Sequence, residues 1–220
     1  MSKINASKNS PREIPKFDSD ISRLDWFKEH CSWPKIYYGN VEQLIRLSDA
    51  RKVMEIGVAY GYHAESLLKA LPLIEYIGID PYMSGYDAND EFPNDVAELF
   101  DDESQKAMDR LYESVLVRLS QYGPRATLIR STSQAASNGI LNGSLDLIFI
   151  DGDHRYEVVS REVKDYWEKL KVGGILAGDD YNWPDVKRAV DEFFVSHGVM
   201  LSFLSREAQG YATWFALKTT

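Results

Sequence analysis

Two acidic strings, Ile150-Asp151-Gly152-Asp153-His154 and Gly178-Asp179-Asp180-Tyr181, each follow a run of apolar residues, LDLIF and GGILA. Such runs read as buried strands, so each string places carboxylates just past a strand end. In an open parallel sheet these ends line the ligand crevice, and four carboxylates are expected to converge there. Left unneutralised, they repel and raise one another's pKa. A bound hard cation removes that conflict, and an all-oxygen set suits magnesium, manganese or calcium better than zinc. His154 adds a proton acceptor beside Asp153, because an imidazole titrates nearest neutrality.

A second constellation is the stretch VMEIGVAYGY, Val53 to Tyr62, which runs from an apolar strand through a glycine turn into HAESLLKAL. Such a turn brings backbone close to a ligand, and the following helix offers free N–H groups. The dinucleotide fingerprint is broken at Ala59 and Tyr62, and a Walker-type loop is ruled out by Tyr62 and His63 after Gly61. What remains is Glu55 two residues before Gly57, Gly61 four after it, and Asp80 at the end of the next strand, where such folds grip ribose hydroxyls. Past the ATLIR strand, Ser131-Thr132-Ser133-Gln134 places a hydroxyl and an amide where they could meet a base or cap a helix.

The elements that must hold these residues alternate. Strand-like RKVMEIG, EYIGID, ATLIR, LDLIFID and GGILAGDD are separated by helical patterns over 63–71, 103–122, 133–140, 156–170 and 184–196. The expected class is α/β: a Rossmann-like, doubly wound, mainly parallel seven-stranded sheet with helices on both faces. VMLSFLS and ATWFALK lack a helix between them, so the last strand should run antiparallel. DISRLDWFKEH and NVEQLIRLSDA read as two capping helices joined through Trp33-Pro34. Residues 1–50 are therefore an arm with capping helices, and 51–220 the main domain, within one structural domain overall. The acidic segment 83–103 is too long for a plain connection; it reads as a lid or as a solvated insertion.

Composition narrows the partners. At 220 residues and 44% hydrophobic, the chain can bury one good core. It has no membrane-spanning run, and its polar N-terminus lacks the apolar middle of a signal peptide. The single cysteine, Cys31, fits a small buried residue in a reducing, cytoplasmic setting. A net charge of −9 argues against nucleic acid. The arm and early helices could pack across a homodimer.

Glu55-Ile56-Gly57-x-Ala59-x-Gly61 resembles the first motif of class I S-adenosylmethionine-dependent methyltransferases, and Gly78-Ile79-Asp80 their ribose-binding motif. The resemblance covers 52–218; Ala59 departs from the commoner glycine. It implies a cofactor site built from Glu55, Gly57, Ala59, Tyr60, Gly61, Asp80 and Asp151, with Ser133 and Gln134 on the adenine, as in catechol-type O-methyltransferases. Ile-Asp-Gly-Asp-His followed by Gly-Asp-Asp-Tyr resembles the metal-dependent catechol-type, macrocin-type and aminocoumarin-type enzymes. That likeness implies Mg2+ or another divalent cation on Asp151, Asp179 and Asp180, and methylation of a small hydroxylated acceptor, a sugar of a glycoside or a catechol-like phenol. The sugar-modifying relatives place the base at Asp153; the catechol-type ones place a lysine at the position of His154. Asp153 ranks first and His154 second. Tyr181, Asn182, Trp183, Tyr82, Tyr86 and His63 are candidates for the acceptor pocket. A metal-independent methyltransferase and a non-catalytic adenosylmethionine-binding module are the competing readings.

Overall fold

The computed structural model describes residues 14–30, 36–87, 89–205 and 212–220; Cys31, the Trp33-Pro34 turn and the arm before Ile14 lie outside them. Helices α1 (Asp20–His30) and α2 (Ile36–Ser48) precede β1 (Lys52–Ile56), α3 (Tyr62–Ala70) and β2 (Glu75–Asp80). Next come α4 (Phe92–Phe100), α5 (Ser104–Ser120), β3 (Ala126–Arg130), α6 (Ser133–Ser137) and β4 (Leu145–Ile150). The chain closes with α7 (Tyr156–Lys169), β5 (Leu170–Gly178), α8 (Pro184–Ser196), β6 (Ser202–Ser205) and β7 (Ala212–Leu217). The strands form one Rossmann-like sheet in the order β3-β2-β1-β4-β5-β7-β6. β1 to β5 pair in parallel, and β7 runs antiparallel to both neighbours.

The strand order reverses between β1 and β4, and a crevice opens past their C-terminal ends. The ladder continues into the loops there and fixes their relative positions. The Gly57 N–H donates to Ile79 O (2.9 Å), that of Asp151 to Ile56 O (2.8 Å) and that of Asp179 to Ile150 O (3.2 Å). The strands can be apolar on both sides because helices cover both faces: Ile148, Ile150 and Leu176 lie in one core with Val159, Val163 and Tyr166 of α7 and Val190 and Phe194 of α8.

The chain divides into two compact units. One takes 1–32 and 82–118; the other takes 33–81 and 119–220 and contains the whole sheet. The boundary expected at residue 50 falls inside the second unit, which also holds α2. In the first unit Arg110 ties the helices together: its guanidinium donates to Asp20 (2.5 Å), to Asp102 (3.2 Å) and to Phe100 O (3.1 Å). The acidic segment 83–103 contains a helix, α4, that its polar composition hides. Val96, Leu99 and Phe100 are buried, and Pro93 occupies the first turn, where its missing N–H costs nothing.

Candidate active site

The glycine turn takes the shape its residues suggest. Gly57 sits at φ +89°, and a Cβ there would lie 2.1 Å from Asp151 O, so only glycine lets the β1 and β4 loops touch. Gly61 (φ +70°) precedes α3, which has no side-chain cap. Ala59 holds φ +47°, a left-handed conformation that favours glycine. Asp80 braces the turn: its Oδ2 accepts from the N–H groups of Val58 (2.9 Å) and Ala59 (3.0 Å). Tyr60 stacks on Tyr62 at 5.6 Å.

Behind the turn, Glu55 is 2% exposed. Its Oε1 pairs with His63 Nδ1 (2.7 Å), and the Tyr76 hydroxyl donates to its Oε2, so both oxygens already have partners within the protein. His63 is buried and stacks on Tyr38 at 4.6 Å. It is therefore built into the wall rather than presented to an acceptor.

Asp151 lies at the centre of a crowd of acids. Burial first, then Asp180, Asp179 and Glu55, push its carboxyl well above the usual range, while a hydrogen bond with Tyr37 pulls the other way. The phenol of Tyr37 is raised in turn by its own burial and by Asp151. Tyr37 stacks on Phe149 at 5.8 Å, and Tyr38 meets it edge-on at 4.7 Å. These two tyrosines lie in the first turn of α2, ahead of the helix expected over NVEQLIRLSDA, and were not singled out in the sequence. A tyrosine pair opening that helix was the available signal.

Two of the neighbouring acids have basic partners. Asp153 is clasped by Arg155, which donates from its backbone N (2.7 Å), from Nε (3.0 Å) and from Nη2 (2.5 Å). Asp180 Oδ2 meets His154 Nε2 at 2.8 Å, and the His154 ring stacks on Trp183 at 4.5 Å. Asp180 is held at φ +56°, a strained conformation that costs a non-glycine residue roughly 1–2 kcal/mol. Asp151, Asp153, His154, Asp179, Asp180 and Trp214 line one small cavity. Trp214 enters from β7, its indole N–H donating to Asp179 O (3.1 Å).

Among the described residues, no group of three or more His, Cys, Asp or Glu side chains is placed to hold a metal ion. Asp180 Oδ2 is turned to His154, and Asp151, Asp179 and Asp180 form no such group among the described residues. Of the other pocket candidates, Tyr82 is fully buried against Tyr112 (5.4 Å) within the first unit and serves packing there. Tyr86 belongs to the same unit. The Tyr181 hydroxyl pairs with Asp191 (2.5 Å) and Lys187 (2.9 Å), whereas Asn182 and Trp183 are exposed.

Ser133 and Gln134 open α6 beyond β3. The capping role falls to Thr132, whose hydroxyl accepts from the Ala135 N–H (3.2 Å), so Ser133 and Gln134 are not spent on it. Among the described residues no helix is long and apolar enough to cross a membrane.

A family model described as a methyltransferase domain matches residues 54–181. Among solved structures, the chain is similar to a proposed caffeoyl-CoA O-methyltransferase from Staphylococcus aureus: 16% identity, TM-score 0.61, covering 91% of this chain and 93% of that one. It is also similar to the O-methyltransferase TomG from Streptomyces achromogenes, solved in complex with SAM (15%, 0.59, 95% and 93%). Cofactor-bound Rv0187 from MTB is a third (16%, 0.63, 90% and 87%). At these identities the likeness shows the fold. No curated protein matches the sequence.

Proposed function

From the premise that the chain belongs to the methyltransferase-domain family, we propose that it is an S-adenosylmethionine-dependent O-methyltransferase acting on a small hydroxylated molecule. The observation that carries this reading is the crowd of acids around Asp151, directly behind the glycine turn. Their mutual repulsion is relieved by a cationic ligand, and S-adenosylmethionine carries a sulfonium and an ammonium group. The turn and Asp80 would hold the nucleoside, and Ser133 and Gln134 the base. Both nearby O-methyltransferase structures, one solved in complex with SAM, support the same reading.

When bound, S-adenosylmethionine supplies an electrophilic methyl carbon whose bond to sulfur breaks, the electron pair staying on sulfur. His154 is the base in this proposal. In this proposal Asp180 accepts from the Nε2–H of His154, and the imidazole takes the acceptor's hydroxyl proton through Nδ1 as the oxygen closes on carbon. Trp183 holds the ring plane. Asp153, with its carboxylate engaged by Arg155, shapes the loop instead.

A divalent cation on Asp151, Asp179 and Asp180 would relieve the same crowding and is the second reading; no step above passes through one. Transfer of labelled methyl from S-adenosylmethionine to a panel of phenols and glycosides, with and without chelator, tests both. We expect transfer that survives chelation. Transfer abolished by EDTA and restored by Mg2+ supports the second reading, and calorimetric binding of S-adenosylhomocysteine without transfer to any acceptor supports a binding module. The acidic surface favours a neutral or cationic acceptor over nucleic acid.

A further inference from the structure

The turn that aims Asp180 at His154 is held from the neighbouring antiparallel strand. The peptide between Asp179 and Asp180 is planar, so the direction of the Asp179 carbonyl sets the plane from which Asp180 departs. Asp180 leaves it at φ +56°, a left-handed value that an aspartate keeps only when its surroundings enforce it. Three backbone groups at this junction are tied down. The Asp179 N–H donates to Ile150 O (3.2 Å), continuing the ladder between β4 and β5, and the Trp183 N–H donates to Asp180 O (2.8 Å), closing a β-turn. The third tie comes from a side chain on β7: the indole N–H of Trp214 donates to Asp179 O (3.1 Å) and so orients the peptide that enters the turn.

Gly178 makes this contact possible. It is the register partner of Trp214 across β5 and β7. A Cβ at Gly178 would lie 2.3 Å from Cζ2 and 2.5 Å from Cε2 of the indole, so any other residue would displace the ring. The indole is 1% exposed, with Phe194 of α8 beside it at 6.1 Å. An indole N–H can only donate, and burying it without an acceptor is costly, so packing and hydrogen bonding fix the same ring orientation.

From Asp179 the contacts run on to the imidazole. Asp180 Oδ2 meets His154 Nε2 at 2.8 Å, and Trp183 lies flat against the His154 ring, 4.5 Å between centroids and 10° between planes. Both of these partners belong to the one β-turn, Asp180 to Trp183, whose entry peptide Trp214 orients. Trp214, Asp179, Asp180 and His154 also line one cavity.

We propose that Trp214 is a positioning residue for His154: through the Asp179 carbonyl it fixes the turn whose Asp180 and Trp183 set the direction and plane of the imidazole. The inference rests on the reading of His154 as the base and deepens it, because it names the residue that holds the base's two partners in register.

The test is proton NMR of the histidine ring signals in the protein without added ligand, at pH 8.5, above the ordinary titration range of histidine. His154→Gln assigns the His154 signals. A ring lying flat on an indole is shielded, so the native His154 ring protons should lie upfield of those of free histidine. Trp214→Phe keeps an aromatic ring and removes the N–H. Trp214→benzothienylalanine keeps the bicyclic shape and puts sulfur in place of the N–H, so the core stays filled even where phenylalanine leaves a void. Each should abolish most of the His154 upfield shift while the signals of His63, stacked on Tyr38, stay in place. His154 signals that keep their native position in the benzothienylalanine protein overturn the proposal. So does a displacement shared equally by His63, the mark of a general loosening. No methyl donor enters this measurement, so its failure strikes the positioning role alone, whereas failure of the methyltransferase reading would appear in the transfer assay with the ring signals unchanged.

Discussion

At the scale of single residues, the distribution of partners among the acids separates two bases that sequence alone leaves side by side. Asp153 has two oxygens engaged by Arg155, while His154 meets Asp180 through Nε2. His154→Gln should therefore lower kcat by about 10²- to 10⁴-fold, the usual weight of a general base, with S-adenosylhomocysteine affinity unchanged. Asp153→Asn should leave kcat within about tenfold and mainly lower stability, since it strips Arg155 of its partner. A larger kcat loss in Asp153→Asn than in His154→Gln would return the role to the aspartate. Gly57→Ala is the sharpest packing test: with a Cβ 2.1 Å from the Asp151 carbonyl at φ +89°, it should cost more than ~3 kcal/mol in urea unfolding. The strand ends and their acids were legible in the sequence because chemistry and position coincide there. The partnering of Asp153 with Arg155, of Asp180 with His154 and of Asp151 with Tyr37 was not, since side-chain direction and α2 placement leave no periodic trace.

At the scale of elements, α7 both follows the catalytic loop and backs the Ser133-Gln134 pair, and its buried Glu162 carries a pH signature. The carboxyl is raised from its ordinary 4.5 to about 7, so the folded state holds its proton more tightly than the unfolded chain does. The stability this proton contributes is fully present below about 4.5 and lost as pH rises through about 7. At about 1.4 kcal/mol per pKa unit, the native protein forgoes roughly 3 kcal/mol across that window. Glu162→Gln should match the native protein in urea at pH 4.5 and exceed it by up to that amount at pH 8. Equal stabilities at both pH values would show that the carboxyl is better solvated than its surroundings indicate. Helix α8 and strands β2 and β3 fall where the periodicity of 184–196, EYIGID and ATLIR puts them. Helix α4 escaped notice because Asp95 and Glu98 make its sequence acidic and it has only 9 residues, although Phe92, Val96, Leu99 and Phe100 keep the spacing of a buried stripe.

At the scale of the whole molecule, the fold supplies the crevice and the charge supplies the bias. The reversal of strand order between β1 and β4 brings the glycine turn and the Asp151 loop together, and the chain as a whole carries a net charge of −9. For a cationic acceptor, kcat/KM should fall as salt rises from 20 to about 300 mM, while for a neutral one it should stay flat; a rise for the cationic acceptor would mean the site itself is shielded from the net field. The antiparallel β7 matters here for a different reason than closing the sheet. It delivers Trp214, 1% exposed, into the same cavity as Asp151 and His154. An indole walled in beside carboxylates is a built-in optical gauge. With Trp26, Trp33, Trp167 and Trp183 changed to phenylalanine, its emission colour and quenching should follow a ligand entering the cavity in real time, so occupancy can be watched before any methyl acceptor has been identified.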